Sequence, residues 1–179
     1  EAAHRYGLVL ALTRANRLDE AQLQMDILLA SNPSRITYIV SQAELWLAAG
    51  KPDKAISILR KQLGYNPDNH PLTMAYATAL SRSRNPRGAE AILTQHALVR
   101  PNDPDLWYQL AEVRGQSGDI LGVHEARAEY FVLMGRPEMA IRQLGYGLKG
   151  VGDNSIESAR LKQRIIEIQQ WMERMEEVM

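Results

Sequence analysis

The chain repeats itself every 34 residues, and that period restricts its architecture more than any other feature. Pro33, Pro67 and Pro101 lie one period apart, with Gly135 at the fourth position. Ala21, Ala55 and Ala89 keep the same interval and lead to Val123. Val9, Ala43, Ala77 and Ala111 form a third register, and Met25, Leu59 and Leu93 a fourth. The turn positions Asn16, Gly50, Arg84 and Gly118 form a fifth. Several independent registers with one period are the signature of stacked repeats.

Each period reads as two helices. Leu8 and Leu12, then Leu18, Ala21, Met25, Leu28 and Leu29, recur at three- and four-residue steps. Pro52, Pro86, Pro104 and Pro137 fall where a first helical turn tolerates a residue without an N–H. Pro33, Pro67 and Pro101 follow helix ends. These signals predict ten helices, at 2–15, 18–31, 35–49, 52–65, 70–83, 86–99, 104–117, 120–134, 137–149 and 154–178. Small residues at 43 and 55, and at 77 and 89, let the two helices of a repeat cross closely. No helix pair buries its apolar face alone, so the pairs are expected to stack and curve into a superhelix.

Three repeats fit this pattern well, over 2–35, 36–69 and 70–103. The fourth, 104–137, carries Val123 in place of alanine and Arg127 in place of an apolar residue. Gly135 and Ala140 copy the spacing of Gly50 and Ala55, as if the second helix of the fourth unit also serves as the first helix of another. The last helix carries Leu161, Ile165, Ile168, Met172, Met175 and Met179 along one seam, with Trp171 off it. That seam is expected to cover the end of the stack, dimerisation or domain docking being the alternative.

Composition excludes several functions. Lys plus Arg and Asp plus Glu both total 21, so the chain lacks the basic excess of a nucleic-acid binder. Arg82, Arg84 and Arg87 form the densest basic spot and read as a solvated turn. No apolar run reaches the roughly 20 residues that span a bilayer. The chain has no cysteine, opens on Glu1 rather than Met, and shows no signal peptide, which suggests a piece of a longer protein. His4, His70, His96 and His124 are scattered over different repeats. A zincin site needs two histidines one helical turn apart with a glutamate, so no metal site is expected here. No phosphate loop or nucleophile elbow is present either, and catalysis by this chain is not expected.

Small residues at both helix crossings, a large apolar residue ending each first helix and a proline after each second helix resemble the tetratricopeptide (TPR) pattern. The expected fold class is therefore an all-α TPR solenoid of four to five hairpins with a long C-terminal capping helix, forming one domain over 1–179. A narrower resemblance rests on three runs: Ala126-Arg127-Ala128-Glu129-Tyr130, Gly135-Arg136-Pro137-Glu138-Met139-Ala140-Ile141, and Ser158-Ala159-Arg160-Leu161-Lys162-Gln163-Arg164-Ile165. These resemble the last segment of the BepA family, periplasmic proteins with a zinc metalloprotease domain followed by a TPR domain. The resemblance implies a periplasmic, non-catalytic domain, with zinc held by the absent protease domain. It implies outer-membrane β-barrel proteins and their assembly machinery as partners, together with the chain's own protease domain. The alternative is a structural scaffold that assembles oligomers without handling clients.

In a TPR array the first helices line the concave face. That resemblance points to Tyr6, Leu10 and Arg14; to Val40, Glu44 and Leu47; to Met74, Thr78 and Arg82; and to Tyr108, Gln109 and Glu112 as partner-binding positions. Leu98, near the end of its helix, is a further exposed apolar candidate. Aromatic, thioether and amide groups suit extended peptides of varied sequence. The recurring lysine and asparagine set that clamps a terminal carboxylate in some TPR domains is missing from these positions. For Tyr6 and Tyr108 a helix-packing role competes, and for Arg14 and Arg82 a solvated charge.

Overall fold

The computed structural model describes residues 1–153 and 155–178, the side chain of Val178 apart. Among the described residues every regular element is a helix: α1 Ala2–Arg14, α2 Leu18–Ser31, α3 Ile36–Ala48, α4 Pro52–Tyr65, α5 His70–Arg82, α6 Pro86–Val99, α7 Pro104–Ser117, α8 Ile120–Leu133, α9 Pro137–Lys149 and α10 Ile156–Val178. These spans agree with the sequence expectation to within two residues at each end. The expected first residue of the last helix, Asn154, and the seam residue Met179 lie outside the described residues. The chain divides into two compact units, 1–92 and 93–179, the divide falling within α6.

The 34-residue register of turns has a backbone cause. Asn16, Gly50, Arg84 and Gly118 all adopt left-handed conformations, with φ of 57°, 69°, 63° and 81°. Each follows a first helix and reverses the chain into the second. The residue after each donates its N–H back five positions: Arg17 to Leu12, Lys51 to Trp46, Asn85 to Leu80 and Asp119 to Arg114, at 2.8–3.0 Å. This is the Schellman closure, which satisfies helix-end carbonyls and needs one left-handed residue. Gly135 repeats it at φ 68°, with Arg136 donating to the Phe131 carbonyl at 2.8 Å. It comes 17 residues after Gly118 rather than 34. The turn from α8 to α9 is thus of the first-to-second-helix kind, and α8 belongs to two hairpins.

The helix starts are equally local. Prolines open α4, α6, α7 and α9. Asn69, Asp103 and Asp119 cap α5, α7 and α8 by accepting backbone N–H groups with their side chains. Ser155 Oγ accepts the Ser158 N–H at 3.0 Å and does the same for α10.

In the N-terminal unit, α1 to α5 pack as successive neighbours, and α3 also lies against α1 and α5. Val9, Leu12, Ala21, Met25, Leu28, Tyr38 and Leu45 make one buried cluster. Ala43, Ala55, Ala77 and Ala89 have no exposed surface, as close helix crossings require. Gln42, also buried, faces Gln22 of α2, and the two amides exchange hydrogen bonds of 2.7 and 2.9 Å. The sequence gives no hint of this polar pair within an apolar contact.

In the C-terminal unit, α8 packs against both α7 and α9, and α10 packs against α9. Ala128, Ala140, Leu144, Leu161 and Ile168 form the buried cluster, with Ile165 and Met172 half-buried beside it. The seam of α10 therefore covers the last hairpin through its first four members. Met175 is already exposed. Gly147 permits this approach: a Cβ there would meet Leu121 Cδ1 at 3.2 Å and Leu161 Cδ1 at 3.3 Å. Trp171 stands off the seam at the surface.

The left-handed turns yield a test. Arg84 is exposed and carries a side chain where the neighbouring repeats use glycine. A left-handed L-residue costs about 1–2 kcal/mol, part of which glycine's greater chain entropy offsets. Arg84→Gly is expected to stabilise the chain by about 1 kcal/mol in denaturant unfolding, and Gly50→Val to destabilise it. Opposite signs would mean that these turns do not set the hairpin geometry.

Candidate protein-interaction surfaces

The first helices of the N-terminal unit bring nine of the expected positions onto neighbouring helices. On α1, Leu10 is half-buried and Arg14 exposed. Tyr6 is a joint between helices: its ring lies 5.5 Å from Tyr38 and its hydroxyl 2.8 Å from Ser41 Oγ. On α3, Val40 and Leu47 are half-buried and Glu44 is exposed. On α5, Met74 and Thr78 are half-buried, Thr78 Oγ1 donating to the Met74 carbonyl at 3.0 Å, and Arg82 is exposed. The face therefore carries apolar and thioether surface flanked by one carboxylate and two guanidinium groups.

Glu44 reports how enclosed this face is. Solvent reaches its side chain, yet surrounding protein desolvates the carboxyl and pushes it above the ordinary glutamate range. The Arg82 charge, reaching from α5 to α3, partly opposes that rise.

In the C-terminal unit, Tyr108 is 55% exposed, its ring 5.7 Å from Tyr130 of α8. Gln109 is half-buried and Glu112 exposed. Leu98, 76% exposed, sits in the last turn of α6, a second helix, rather than with the first-helix positions. Arg82, Arg84 and Arg87 are all exposed around the turn between α5 and α6.

Sequence reasoning did not single out a set of residues on the last four helices. Trp107 and Arg114 of α7, Glu125 and Glu129 of α8, Leu144 of α9, and Arg160, Leu161 and Arg164 of α10 line a cavity of about 320 Å³. Two ion pairs tie α10 to α8 across it. Arg160 Nη2 meets Glu125 Oε1 at 2.5 Å. Arg164 gives Nε and Nη2 to the two oxygens of Glu129, each at 2.7 Å. That hydrogen bonding raises the Arg164 guanidinium above its ordinary value, with burial opposing. Both pairs span 35 residues, as does the contact between Tyr6 and Ser41. Counted in the 34-residue register, position five of one first helix meets position six of the next in Tyr6–Ser41 and Glu125–Arg160, and position nine meets position ten in Glu129–Arg164, a signal readable once α8 is counted as a first helix.

The histidines remain apart. His124 shares a 2.9 Å hydrogen bond with Gln143, and His96 is buried on α6. Among the described residues no group of three His, Cys, Asp or Glu side chains could hold a metal ion, and no helix is long and apolar enough to cross a membrane.

Comparison with known proteins agrees with this geometry. A tetratricopeptide repeat family profile matches residues 47–113. A thermophilic TPR protein of Thermus thermophilus superimposes with a TM-score of 0.60 at 17% identity, covering 95% of this chain and all of that one. The fold is that of a tetratricopeptide-repeat domain. A second TPR protein, YrrB, whose structure is described as having an unusual peptide-binding site, gives a TM-score of 0.58 at 18% identity, covering 95% of this chain and 87% of its own. The β-barrel assembly-enhancing proteases of Yersinia pestis and Escherichia coli K12 are each 30% identical to this chain over 97% of its length. The chain spans 36% of those relatives, about a third of each. The chain is thus a TPR-fold repeat domain similar to about one third of those proteases.

Glu44 provides the test of the N-terminal TPR face. Its raised value means that the folded chain holds this proton more tightly than the unfolded one. Its contribution to stability is therefore complete below the ordinary glutamate value and declines as pH rises through the raised value. In carboxyl NMR, Glu44 is expected to titrate above the ordinary glutamate value, and Arg82→Gln to move it further up. A Glu44 value unmoved by Arg82→Gln would show that the two helices do not share this face.

Proposed function

We propose that this chain is the non-catalytic protein-recognition domain of a periplasmic metalloprotease-chaperone. It engages outer-membrane β-barrel clients and the barrel assembly machinery, and presents them to a zinc-dependent protease domain of the same polypeptide for folding or degradation. The observation that carries this reading is the 30% identity to β-barrel assembly-enhancing proteases over nearly the whole chain.

The surfaces described above support it physically. Met74, Val40, Leu10 and Leu47 offer adaptable apolar contact, while Arg14, Glu44 and Arg82 bring charges of both signs. A peptide in extended form can place alternate side chains on such a face and take hydrogen bonds from its polar groups. Thioether and aromatic groups repack around different sequences, which suits a domain with many clients. In the C-terminal unit Tyr108 and Leu98 add exposed anchors.

The test is site-specific photocrosslinking in living cells with the full-length protein. Probes replace Met74 or Tyr108, and a control probe replaces the exposed Lys61 of the second helix α4. Crosslinks to outer-membrane barrels or their assembly machinery at 74 and 108, and not at 61, are expected. Crosslinks only to further copies of the chain would replace this reading with an oligomeric scaffold. Crosslinks only to the protease domain would make the face an internal regulatory surface.

A further inference from the structure

The cavity of the C-terminal unit has two kinds of wall. Trp107, Leu144 and Leu161 make the apolar part. The Trp107 indole N–H already donates to the Pro101 carbonyl at 2.7 Å, so the residue offers the cavity ring surface. Arginines make the polar part, and they are not equally engaged. Arg164 is committed to both oxygens of Glu129 and, through Nη1, to Glu167 at 3.1 Å. Arg114 Nη1 donates to the Gly122 carbonyl at 3.1 Å. Arg160 meets one oxygen of Glu125 with one nitrogen, and its side chain is 61% exposed.

A guanidinium carries five N–H donors in a planar fork, so the hydrogen-bonding capacity left at the rim is donor capacity. The two carboxylates are far less exposed, at 24% and 26%, and both face an arginine. The site is therefore complementary to an anion with a planar pair of acceptors, held beside an apolar group. At about 320 Å³ it is near the small end of ligand pockets and holds about one residue.

We infer that this cavity binds a peptide carboxylate lying next to an apolar side chain. The carboxylate sits on the free edge of Arg160, and the side chain enters between Trp107, Leu144 and Leu161. A chain terminus and an aspartate or glutamate side chain supply the same chemistry. This inference rests on the chain being a protein-recognition module, and it adds a contact point on helices other than α1, α3 and α5.

The test titrates the 179-residue chain with three short peptides ending in Leu-Phe. One has a free terminal carboxylate, one a terminal amide, and one a terminal amide with glutamate beside the phenylalanine. Calorimetry gives affinity, and the Trp107 indole N–H resonance, assigned with Trp107→Phe, gives location. At least one acidic peptide is expected to bind ten times or more tighter than the plain amide and to shift the Trp107 signal. The tighter of the two acidic peptides identifies the source of the carboxylate.

Arg160→Gln is expected to weaken that binding roughly ten- to a hundredfold, the range for losing a charge-assisted hydrogen bond. Arg160→Lys is expected to fall between, since it keeps charge without the fork. Thermal unfolding should change little, because so exposed an ion pair contributes little stability. Equal binding of all three peptides, absence of binding, or an Arg160→Gln chain that binds like the wild type would overturn the inference. Crosslinking at Met74 and Tyr108 is read independently, so either proposal can fail alone.

Discussion

The structure depends on one constraint: two helices of a hairpin must cross closely enough that neither keeps an apolar stripe in water. Ala43 with Ala55, Ala77 with Ala89, and Ala128 with Ala140 occupy these crossings without exposed surface. A methyl group keeps the axes close, and the larger residues around it then interdigitate. Met25, Leu59 and Leu144 are fully or almost fully buried in the hairpins that hold them. Burying such a side chain contributes about 1.5–3 kcal/mol, which exceeds what an exposed ion pair adds. Once the crossings are fixed, the positions left on the outer side of the first helices are determined too.

Much of the fold was legible because its determinants are local and periodic. Proline at helix starts, left-handed residues at turns and alanines at crossings each act within a few residues, and each recurs at 34. Even the departure at α8 could be read, because Gly135 and Ala140 reproduce a known spacing. The pair Gln22 and Gln42 could not be read. Two amides satisfying each other within an apolar contact leave no periodic trace, since their equivalents in other repeats differ. Arg84 illustrates a smaller limit: its place in the period marks a turn, while its side chain conceals the left-handed backbone.

The candidate surfaces were legible in a different degree. Register alone placed Leu10, Val40, Met74 and their neighbours on the first helices, and there they stand. Register does not separate a joint from an open side chain, and Tyr6 shows why. Its position is that of Tyr108, yet Tyr38 and Ser41 receive it, while Tyr108 keeps 55% of its surface exposed. The cavity lined by Trp107, Arg160 and Arg164 was hidden for another reason. Its residues come from four helices, and it forms only because α8 has neighbours on two sides.

The sharing of α8 also bears on how such a chain can change in length. A regular array gains or loses 34 residues at a time, and every downstream helix keeps its role, because each repeat touches only its neighbours. From Gly118 to Gly135 the step is half as long. Every helix after it has exchanged roles with respect to the first three repeats: α9 acts as a second helix where the old count would make it a first. Duplication or loss of a complete repeat ahead of α7 would carry the C-terminal unit along unaltered. Loss of a single helix would not, because the surviving faces would meet partners of the wrong kind.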